Sequence, residues 1–474
     1  MDIKYIVSQL QAAEIADCTG GQLSAGRGNQ CFSGVSIDTR TVHNGELFFA
    51  IRGPNHDGHS FVSKALAEGA RGAVVESAYL HREAFPSQNV LIKVKDTHQA
   101  LKDLARTVRL RWKGTAIGLT GSMGKTTTKE FTAQILEYAC PVYRSPGNYN
   151  NLFGLPLALF GLGQDHATGI FEMGMSEPGE IAEMCRIALP DIGIITNIAP
   201  VHLEFFDSIE NIAEAKGELA EALPLDGTLF YNRDIPLVCN IAATFGGRKI
   251  SFGLRKGADF RADQIEIMNA GETRFRLYYE GCERMETVPL AGAHYVMNAL
   301  PAVALGRFYG IVPEKISDAL CHLEAASMRG RTLRFREGFT VIDDVYNSNP
   351  EALKRMVDVL SQLPGFERRI LVAGEMLELG SVSKSMHHAC GVYAAEARLD
   401  EIIGIRGDAR EFVQAALENG MNDRQAFFFG NAEEASNFLN NEIRKGDLVL
   451  IKGSRGVHME TVVQDLRSTF DCMD

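Results

Sequence analysis

The sequence alternates short apolar runs with longer stretches in which apolar residues recur every three or four positions. The runs at 115–119, 169–173 and 191–196 have the length and composition of buried strands. The stretches at 127–138 and 209–223 have the period of helices that pack one face on a core. This alternation predicts a mostly parallel sheet that is covered by helices.

The chain before and after this central part has two further patterns. The early residues predict a helix followed by short strands near 35–37, 47–50 and 73–75, which together form a small α/β unit. The last part of the chain alternates apolar runs with helical stretches and predicts a doubly wound sheet. Its runs are at 340–344, 369–373, 401–405, 426–429 and 448–452.

We therefore expect an α/β fold of three domains, in agreement with a length of 474 residues at ~150 residues per domain. The boundaries follow the changes of pattern. A small N-terminal α/β domain spans 1–95, a central domain with a mostly parallel sheet spans 96–328, and a C-terminal Rossmann-like domain spans 329–474. A helix at 96–111 leads into the central domain, and alternating residues at 251–289 add antiparallel strands to it.

The composition narrows the class of protein. A hydrophobic content of 45% with 23% charged residues is ordinary for a soluble enzyme, and a net charge of -12 argues against a nucleic-acid partner. Nine cysteines without a C-x-x-C pair argue against a zinc site or a disulfide framework. Because the sequence has no signal-peptide pattern and no run of about 18 apolar residues, we expect a cytoplasmic protein without a membrane span.

The segment TGSMGKTT, residues 120–127, follows the first central strand and precedes a helix. A glycine turn at this position aims backbone N–H groups and the positive helix end at phosphate oxygens. Lys125 would reach the terminal phosphates, and the hydroxyl of Thr126 would hold Mg²⁺. Only two residues separate Gly121 from Gly124, which is shorter than the usual phosphate loop, but the strand–loop–helix context predicts an ATP site.

Charged residues at the ends of two neighbouring strands are candidates for the same site, because ligand groups collect at the carboxyl ends of parallel strands. Glu172 ends the second central strand, and its carboxylate suits Mg²⁺. A solvated charge at a strand end is the alternative. His202 follows the third central strand, and a surface or capping histidine is the alternative there.

Lys216 is the most specific candidate on the helix at 209–223. Its neighbours three and four positions away are Ile212, Ala213, Leu219 and Ala220, so it has no acidic partner on its own helical face. A lysine on an apolar face resists protonation, and a neutral amine adds CO₂ to form an anionic carbamate. The alternative is a lysine whose ammonium extends outward to water.

Three further groups of polar residues are candidates for ligand contacts. His294 and Asn298 share one helical face, where Asn298 either bonds a purine edge or caps local backbone. Three asparagines in GNYNN suit a ligand rich in amide groups, or form turns of their own. The segments DDVYNSNP, from 343, and KGSR, from 452, follow two strands of the last sheet.

These motifs resemble the Mur ligases, the ATP-dependent amide-forming enzymes of peptidoglycan synthesis. The resemblance covers nearly the whole chain, and the matching segments occur in the family's order: SIDTRTVHNGELFFAIRGPNHDGH, TGSMGKTT, GNYNNLFGLP, NIAPVHLE, EAKGE, GAHYVMNAL, MRGR, DDVYNSNP, GEMLELG and KGSRG. Small departures occur at Met123, Val345 and Glu375, and none of them removes a metal ligand that the resemblance implies.

The resemblance implies a role for each motif. The ATP contacts would be Gly121, Ser122, Met123, Gly124, Lys125, Thr126 and Thr127, with His294 and Asn298 at the adenine and Arg331 and Asp344 closing from the third domain. Two Mg²⁺ ions would be held, one by Thr126 and Glu172 and the other by His202 and carbamoylated Lys216. The catalytic residues would be Lys125, Lys216, His202 and Glu172.

The implied substrates are UDP-N-acetylmuramoyl-tripeptide and the dipeptide D-alanyl-D-alanine, joined through an acyl phosphate by an enzyme expected to be a monomer. The UDP-sugar contacts would be Ser36, Asp38, Thr39, Arg40, Asp57 and His59. The muramoyl-peptide contacts would be Asn148, Asn150 and Asn151. The contacts from the third domain would be Tyr346, Asn347, Lys452, Ser454 and Arg455.

Three alternatives share part of this pattern. The Mur ligase that adds the third amino acid has the same first domain, but its third domain typically carries Tyr-Ala-His where this chain has Val345-Tyr346-Asn347. A folylpolyglutamate synthase lacks a first domain of this type. A regulatory ATPase with a phosphate loop needs no UDP-sugar domain, and substrate-dependent ADP release distinguishes it from a ligase.

Overall fold

The computed structural model describes residues 5–53, 55–79, 88–200, 206, 208–268 and 271–473, and within them the strands form three sheets. Each sheet is mostly parallel and is covered by helices, so the predicted α/β class is confirmed. None of the described helices is both long enough and apolar enough to span a membrane.

The first sheet has five strands in the order β1-β5-β4-β3-β2, with β1 antiparallel to β5 and the other pairs parallel. Its strands are β1 (Gln22–Ala25), β2 (Val35–Ser36), β3 (Leu47–Phe49), β4 (Gly72–Glu76) and β5 (Val90–Val94), and its helices are α1 (Ala12–Cys18) and α2 (Val62–Ala67). The sequence predicted β2, β3 and β4. It did not predict β1, an edge strand that lacks a buried apolar run.

Helix α3 (Thr97–Arg111) connects the first sheet to the central one. Asp96 caps its N-terminus by accepting hydrogen bonds from two backbone N–H groups of the first turn. Leu101, Leu104 and Val108 are fully buried in one apolar core that the first sheet shares with the central sheet. Because α3 contacts α1 and β4 as well as helices of the central part, it fixes the first sheet against the centre of the molecule.

The central sheet has nine strands in the order β14-β13-β12-β11-β10-β9-β6-β8-β7, and only β12–β13 and β13–β14 are antiparallel within the described residues. Its strands are β6 (Thr115–Thr120), β7 (Val142–Arg144), β8 (Thr168–Glu172), β9 (Ile192–Ile195), β10 (Thr228–Asn232), β11 (Arg248–Gly253), β12 (Phe260–Ile267), β13 (Thr273–Tyr279) and β14 (Cys282–Val288). Its helices are α4 (Lys125–Leu136), α5 (Gly154–Phe160), α6 (Glu180–Ala188), α7 (Ile209–Ala222), α8 (Pro236–Thr244), α9 (Ala293–Phe308) and α10 (Pro313–Cys321). The predicted antiparallel extension is thus present.

The third sheet has six strands in the order β15-β16-β20-β17-β18-β19, with β15 antiparallel to β16 and the other pairs parallel. Its strands are β15 (Arg331–Arg334), β16 (Thr340–Asp344), β17 (Arg368–Gly374), β18 (Glu401–Ile405), β19 (Ala426–Phe429) and β20 (Asp447–Lys452). Its helices are α11 (Pro350–Gln362), α12 (Ser383–Glu396), α13 (Ala409–Glu418), α14 (Ala432–Glu442) and α15 (Glu460–Thr469). The five runs predicted here are β16 to β20.

Candidate functional site

The glycine turn lies at the switch point of the central sheet, where β6 is flanked by β8 on one side and by β9 on the other. Leu119 pairs with Glu172 of β8, and Thr120 pairs with Ile195 of β9. The carboxyl ends of three adjacent parallel strands therefore meet at one place. This is where an open α/β sheet binds its ligand.

Two glycines give the turn its shape. Gly124 has φ +77° and immediately precedes α4, and a Cβ there would collide with the side chain of Asn298. A Cβ at Gly121 would collide with the hydroxyl of Thr196. The N-terminus of α4 has no side-chain cap and no acidic residue in its first turn, so its free N–H groups form a site for an anion.

Polar contacts from the segment after β9 hold the turn in place. The N–H of Met123 donates to Asn197 Oδ1 at 2.8 Å, and the hydroxyl of Thr196 donates to the carbonyl of Met123 at 2.9 Å. The N–H of Ser122 donates to the carbonyl of Asn197 at 3.0 Å. The protein's own contacts therefore hold the cradle in place.

The first turn of α4 brings a hydroxyl and an ammonium to the end of β8. Thr126 Oγ1 donates to Glu172 Oε2 at 2.9 Å, and Asn150 Nδ2 donates to Glu172 Oε1 at 2.8 Å. Lys125 Nζ donates to the carbonyl of Gly121 at 2.6 Å. Enclosure in the cleft lowers the pKa of Lys125, the charge of Glu172 opposes that shift, and the charge of Arg329 adds to it.

Lys216 lies on α7 with 1% of its surface exposed, on the apolar face that the sequence predicts. Burial lowers its pKa well below the usual range, and the positive charge of Lys125 lowers it further. Among the described residues, no hydrogen bond or ion pair of its amine is found. Both effects shift the equilibrium toward the neutral amine, the form that reacts with CO₂.

The donors around Glu172 fit Mg²⁺, because a hydroxyl and a carboxylate are the hard oxygen ligands that this ion prefers. Across the described parts of the chain, no group of three or more His, Cys, Asp or Glu side chains could hold a metal by itself. Phosphate oxygens would have to complete the coordination, as is usual for Mg²⁺ bound together with a nucleotide.

A cleft of about 560 Å³ joins the glycine turn to the third sheet. From that sheet, Lys452 Nζ donates to Asp344 Oδ2 at 2.6 Å and to the carbonyl of Asn347 at 2.9 Å. The guanidinium of Arg329 stacks over the ring of Tyr346 at 3.9 Å. The following residues named from the sequence line this cleft: Ser122, Met123, Gly124, Lys125, Thr126, Thr127, Asn148, Asn150, Asn151, Glu172, His294, Asn298, Asp344, Tyr346, Asn347 and Lys452.

His294 and Asn298 of α9 both line the cleft, and Asn298 lies against Gly124 of the glycine turn. Burial lowers the pKa of His294 well below the usual range, and the charges of Arg355 and Lys452 lower it further. A neutral imidazole beside an amide forms a polar wall without charge. Such a wall suits a nucleobase better than it suits a phosphate.

The asparagine loop, which we define as residues 145–151, forms the opposite wall. Asn151 Oδ1 accepts the N–H groups of Phe153 and Gly154, at 3.1 and 2.8 Å, and so caps the start of α5. The ring of Phe153 stacks on His98 of α3 with centroids 4.0 Å apart. Thr97 in turn donates to the carbonyl of Ala50 at 2.9 Å, which links this wall to the first sheet.

The six candidates of the first sheet lie outside the cleft, in two groups. Ser36, Asp38 and the partly buried Thr39 lead to Arg40, whose guanidinium donates to Asp38 Oδ2 at 2.6 Å. The second group is Asp57 and His59.

His59 uses both ring nitrogens within the fold. The N–H of Glu76 donates to His59 Nε2 at 2.9 Å, so the other nitrogen, Nδ1, carries the proton and donates to Asp57 Oδ1 at 2.6 Å. His59 therefore positions Asp57 and has no ring nitrogen left for a ligand.

Other predicted residues lie away from the cleft. Arg331 is exposed at the start of β15, pairs in register with Asp343 of β16, and does not line the cleft. Ser454 is 3% exposed and accepts the N–H of Leu377 at 2.9 Å, so it supports the cleft wall from behind. Arg455 is exposed and directs its guanidinium at the sulfur of Met328. His202 lies outside the described residues.

The cleft also contains residues that the sequence did not single out. Arg329, Arg355, His98 and Asn197 all line it. Asn197 lies two residues after the end of β9, a signal that was available in the sequence. Arg329 lies beside Arg331 in the same segment, and only the packing of the third sheet decides which of the two faces the cleft.

The fold and the cleft define the class: an α/β protein with a phosphate-binding glycine turn at a sheet switch point. Three family models match the chain: the Mur ligase family catalytic domain over 32–109, the Mur ligase middle domain over 119–306, and the Mur ligase glutamate ligase domain over 328–455.

Similar proteins agree with these matches. A Bacillus subtilis protein named UDP-N-acetylmuramoyl-tripeptide--D-alanyl-D-alanine ligase is 33% identical over 91% of this chain and 93% of its own length. A crystal structure of MurF from Acinetobacter baumannii has a TM-score of 0.86 and 30% identity, covering 99% of this chain and 100% of that one. A MurF ligase from Thermotoga maritima, solved in complex with ADP, has a TM-score of 0.80 and 27% identity, covering 92% and 97%. The chain belongs to the Mur ligase family.

Proposed function

We propose that this protein joins D-alanyl-D-alanine to UDP-N-acetylmuramoyl-tripeptide, with ATP converted to ADP and phosphate. The names of the full-length relatives support these substrates. The observation that carries the proposal is the single cleft in which the glycine turn, the asparagine loop and the third sheet meet. An amide-forming ligase needs this arrangement, because a phosphate, a carboxylate and an amine must meet without water.

The glycine turn and α4 bind the nucleotide. The free N–H groups of α4 and the ammonium of Lys125 face the phosphates. His294 and Asn298 contact the adenine as uncharged partners. From the third sheet, Asp344 and Arg329 close on the nucleotide, because both line the cleft opposite the turn.

Thr126 and Glu172 would hold one Mg²⁺, and Lys216 would hold a second one after it reacts with CO₂. The neutral amine attacks the carbon of CO₂, a nitrogen–carbon bond forms, and one proton leaves to solvent. The product is an anionic oxygen ligand on a helix that otherwise presents an apolar face. The burial of Lys216 supports this modification, and His202 belongs to the same proposed site. When bound, the ions would offset the repulsion between an anionic nucleophile and the phosphates.

The first sheet, within a domain of residues 1–95, binds the UDP-sugar through Ser36, Asp38, Thr39 and Arg40, with His59 holding Asp57. The asparagine loop meets the muramoyl-peptide, because Asn148, Asn150 and Asn151 line the cleft beside α3. Tyr346, Asn347 and Lys452 of the third domain, residues 329–474, face the incoming dipeptide.

The reaction takes two steps. The terminal carboxylate of the tripeptide attacks the γ-phosphorus of ATP, and the bond from this phosphorus to the bridging oxygen breaks. The products of this step are ADP and an acyl phosphate of the tripeptide. The amine of D-alanyl-D-alanine then attacks the acyl carbon, loses a proton to solvent, and expels inorganic phosphate. Lys125 stabilises the charge on the transferred phosphoryl group in the first step.

One chain supplies every wall of the cleft, so we propose that it acts as a monomer. We further propose that the reaction takes place in the cytoplasm, where ATP is supplied. The test is phosphate release by the purified protein with UDP-N-acetylmuramoyl-tripeptide and D-alanyl-D-alanine, together with the product mass. We expect release only when both substrates are present. Release with a single amino acid in place of the dipeptide, or without any acceptor, would contradict the proposal.

A further inference from the structure

Helix α4 carries a second lysine, Lys129, one turn beyond Lys125. It is 0% exposed, and its ammonium donates to the carbonyl of Ser145 at 2.6 Å and to that of Gly147 at 3.2 Å. A carboxylate oxygen of Glu130 lies 3.4 Å away, and the exposed Arg144 contacts the same carboxylate at 3.1 Å. Since burial of an ammonium costs several kcal/mol, this lysine is maintained at the expense of stability.

Both carbonyls that Lys129 contacts belong to the asparagine loop. The start of this loop is also tied to β8, because the N–H of Ser145 donates to Ile170 at 2.9 Å and the N–H of Glu172 donates to Ser145 Oγ at 3.3 Å. Farther along, the N–H of Gly174 donates to the carbonyl of Asn150 at 2.7 Å. Lys129 adds the link to α4, the helix that begins at the glycine turn.

We propose that Lys129 is a positioning residue that sets the asparagine loop at a fixed distance from the nucleotide loop. This inference rests on the proposed function, in which the loop meets the muramoyl-peptide. Lys129 touches no substrate, because it does not line the cleft. It acts through Asn148 and Asn150, whose places follow from the two carbonyls that it holds, and it shares a rigid helix with Lys125 and Thr126.

Loss of the ammonium leaves two carbonyls to find water or to remain unpaired, so the loop shifts. The glycine turn keeps its own contacts to Thr196 and Asn197. Glu172 loses its bond from Asn150 but keeps the one from Thr126. We therefore expect the substitution to impair binding of the muramoyl-peptide and to leave ATP binding unchanged. Because a displacement of about 1 Å costs up to ~100-fold in rate, we expect kcat/KM for the muramoyl-peptide to fall about 10- to 100-fold.

The experiment uses Lys129→Met in the full chain, since methionine has a similar length and leaves no buried charge. The control is Arg144→Ala. This variant also removes a cation beside the loop, but the side chain of Arg144 is 41% exposed. The measurements are KM for UDP-N-acetylmuramoyl-tripeptide, KM for ATP, ADP affinity by calorimetry, and hydrogen exchange of residues 145–151. We expect Lys129→Met to raise the first KM, to leave the nucleotide values within about twofold, and to speed exchange in the loop, while Arg144→Ala resembles the wild type.

An unchanged KM for the muramoyl-peptide in folded Lys129→Met would overturn the inference. An equal loss for both substrates together with a lower unfolding midpoint would also overturn it, because that result describes a purely structural lysine. If Lys129→Met does not fold, the same measurements are made on Lys129→Gln, whose amide keeps two N–H donors. We then expect a smaller rise in KM for the muramoyl-peptide. If the wild type has no activity on these substrates, the proposed function fails. Hydrogen exchange then tests the role of Lys129 by itself: faster exchange of residues 145–151 in Lys129→Met, with unchanged ADP affinity, supports it.

Discussion

Two groups of enclosed charges lie at opposite ends of parallel strands in this protein. At the carboxyl ends of the central sheet, the positive charge of Lys125 lowers the pKa of Lys216, and Lys216 has no partner among the described residues. At the amino ends of the third sheet, Arg368, Glu401 and Asp447 are the first residues of β17, β18 and β20. There, Arg368 donates to Asp447 at 3.0 and 2.7 Å and to Glu401 at 3.1 Å.

The two groups differ in where their partners come from. The charges of the third sheet are paired within the protein, whereas those of the central sheet would be paired by a bound ligand or a modification. A paired cluster, once buried, contributes mainly to the specificity and stability of the fold. An enclosed ammonium such as that of Lys125 and a buried amine such as that of Lys216, which has no partner among the described residues, lower stability, and a protein keeps them where an anionic ligand or a modification completes the site. The first kind should respond to substitution through unfolding and the second through activity.

The largest effect is expected at Lys125. Lys125→Ala removes the cation that faces the transferred phosphoryl group, so kcat/KM should fall by about 10³-fold or more. The unfolding midpoint should stay the same or rise, because the variant no longer encloses an ammonium. Kinetics and thermal unfolding of Lys125→Ala are compared with Lys113→Ala, an exposed lysine just before β6. Near-normal turnover in the folded variant would contradict the proposed role of Lys125 at the transferred phosphoryl group.

Lys216 should lose about 10²- to 10³-fold in activity when it is replaced by alanine, because the proposed carbamate is an anionic metal ligand. Acetate should restore part of the activity of Lys216→Ala. Lys216→Arg should stay inactive, since a guanidinium forms no carbamate and remains cationic. An adduct with the mass of CO₂ on the native protein would support the modification. An active Lys216→Arg enzyme would exclude it.

The paired cluster should give the opposite result. Arg368→Met leaves two buried carboxylates without a cation and should lower the free energy of unfolding by about 3 kcal/mol. Its kcat at a permissive temperature should change little. The neighbouring Arg369 is a matched control, because it donates to the backbone carbonyls of Leu360 and Leu363 and to no buried carboxylate side chain. Equal destabilisation by Arg368→Met and Arg369→Met would show that the cluster has no special role.

Glu401 offers a pH test of the same cluster. Burial raises the pKa of Glu401 to about 7, and Arg368 only partly opposes the shift because Asp447 binds the guanidinium with both oxygens. Between the ordinary carboxyl pKa and about 7, the folded chain holds a proton that the unfolded chain releases. This contribution to stability is present at low pH and is lost as the pH rises through that window.

Glu401→Gln keeps the side-chain shape without titration, so it should remove that slope, which amounts to about 2 kcal/mol over the window. Urea unfolding of the wild type and of Glu401→Gln from pH 5 to pH 8 provides the comparison. Parallel pH profiles for the two proteins would contradict the raised pKa of Glu401.

The sequence predicted the charges at strand ends better than the contacts between elements. Glu172, Lys125 and the asparagines could be named because each follows a recognisable strand or glycine turn. Arg329 could not, since its stacking on Tyr346 depends on how the third sheet packs against the centre. Lys129 follows three threonines on a helix with no local sign of burial, and its partners are backbone carbonyls, which leave no trace in the sequence.

The fold was predictable to a similar degree, and for a similar reason. Apolar runs identify buried central strands such as β6, β8 and β9, because strands covered on both faces need continuous hydrophobic residues. Edge strands such as β1 and β15 are half exposed, and their pairing depends on partners far away in the sequence. Their existence follows from the assembled sheet and not from local pattern.

The smallest effect is expected at the exposed pair of Arg40 and Asp38, which extends the comparison to the surface. Their contact at 2.6 Å is largely solvated on the arginine side, with 82% of that side chain exposed, so its loss should barely change stability. If Arg40 contacts the UDP-sugar, Arg40→Ala should weaken its binding several-fold and leave ADP binding unchanged. Calorimetry with Arg27→Ala, another exposed arginine of the first domain, controls for net charge. If the two variants bind UDP-N-acetylmuramoyl-tripeptide with equal affinity, Arg40 does not contact the UDP-sugar.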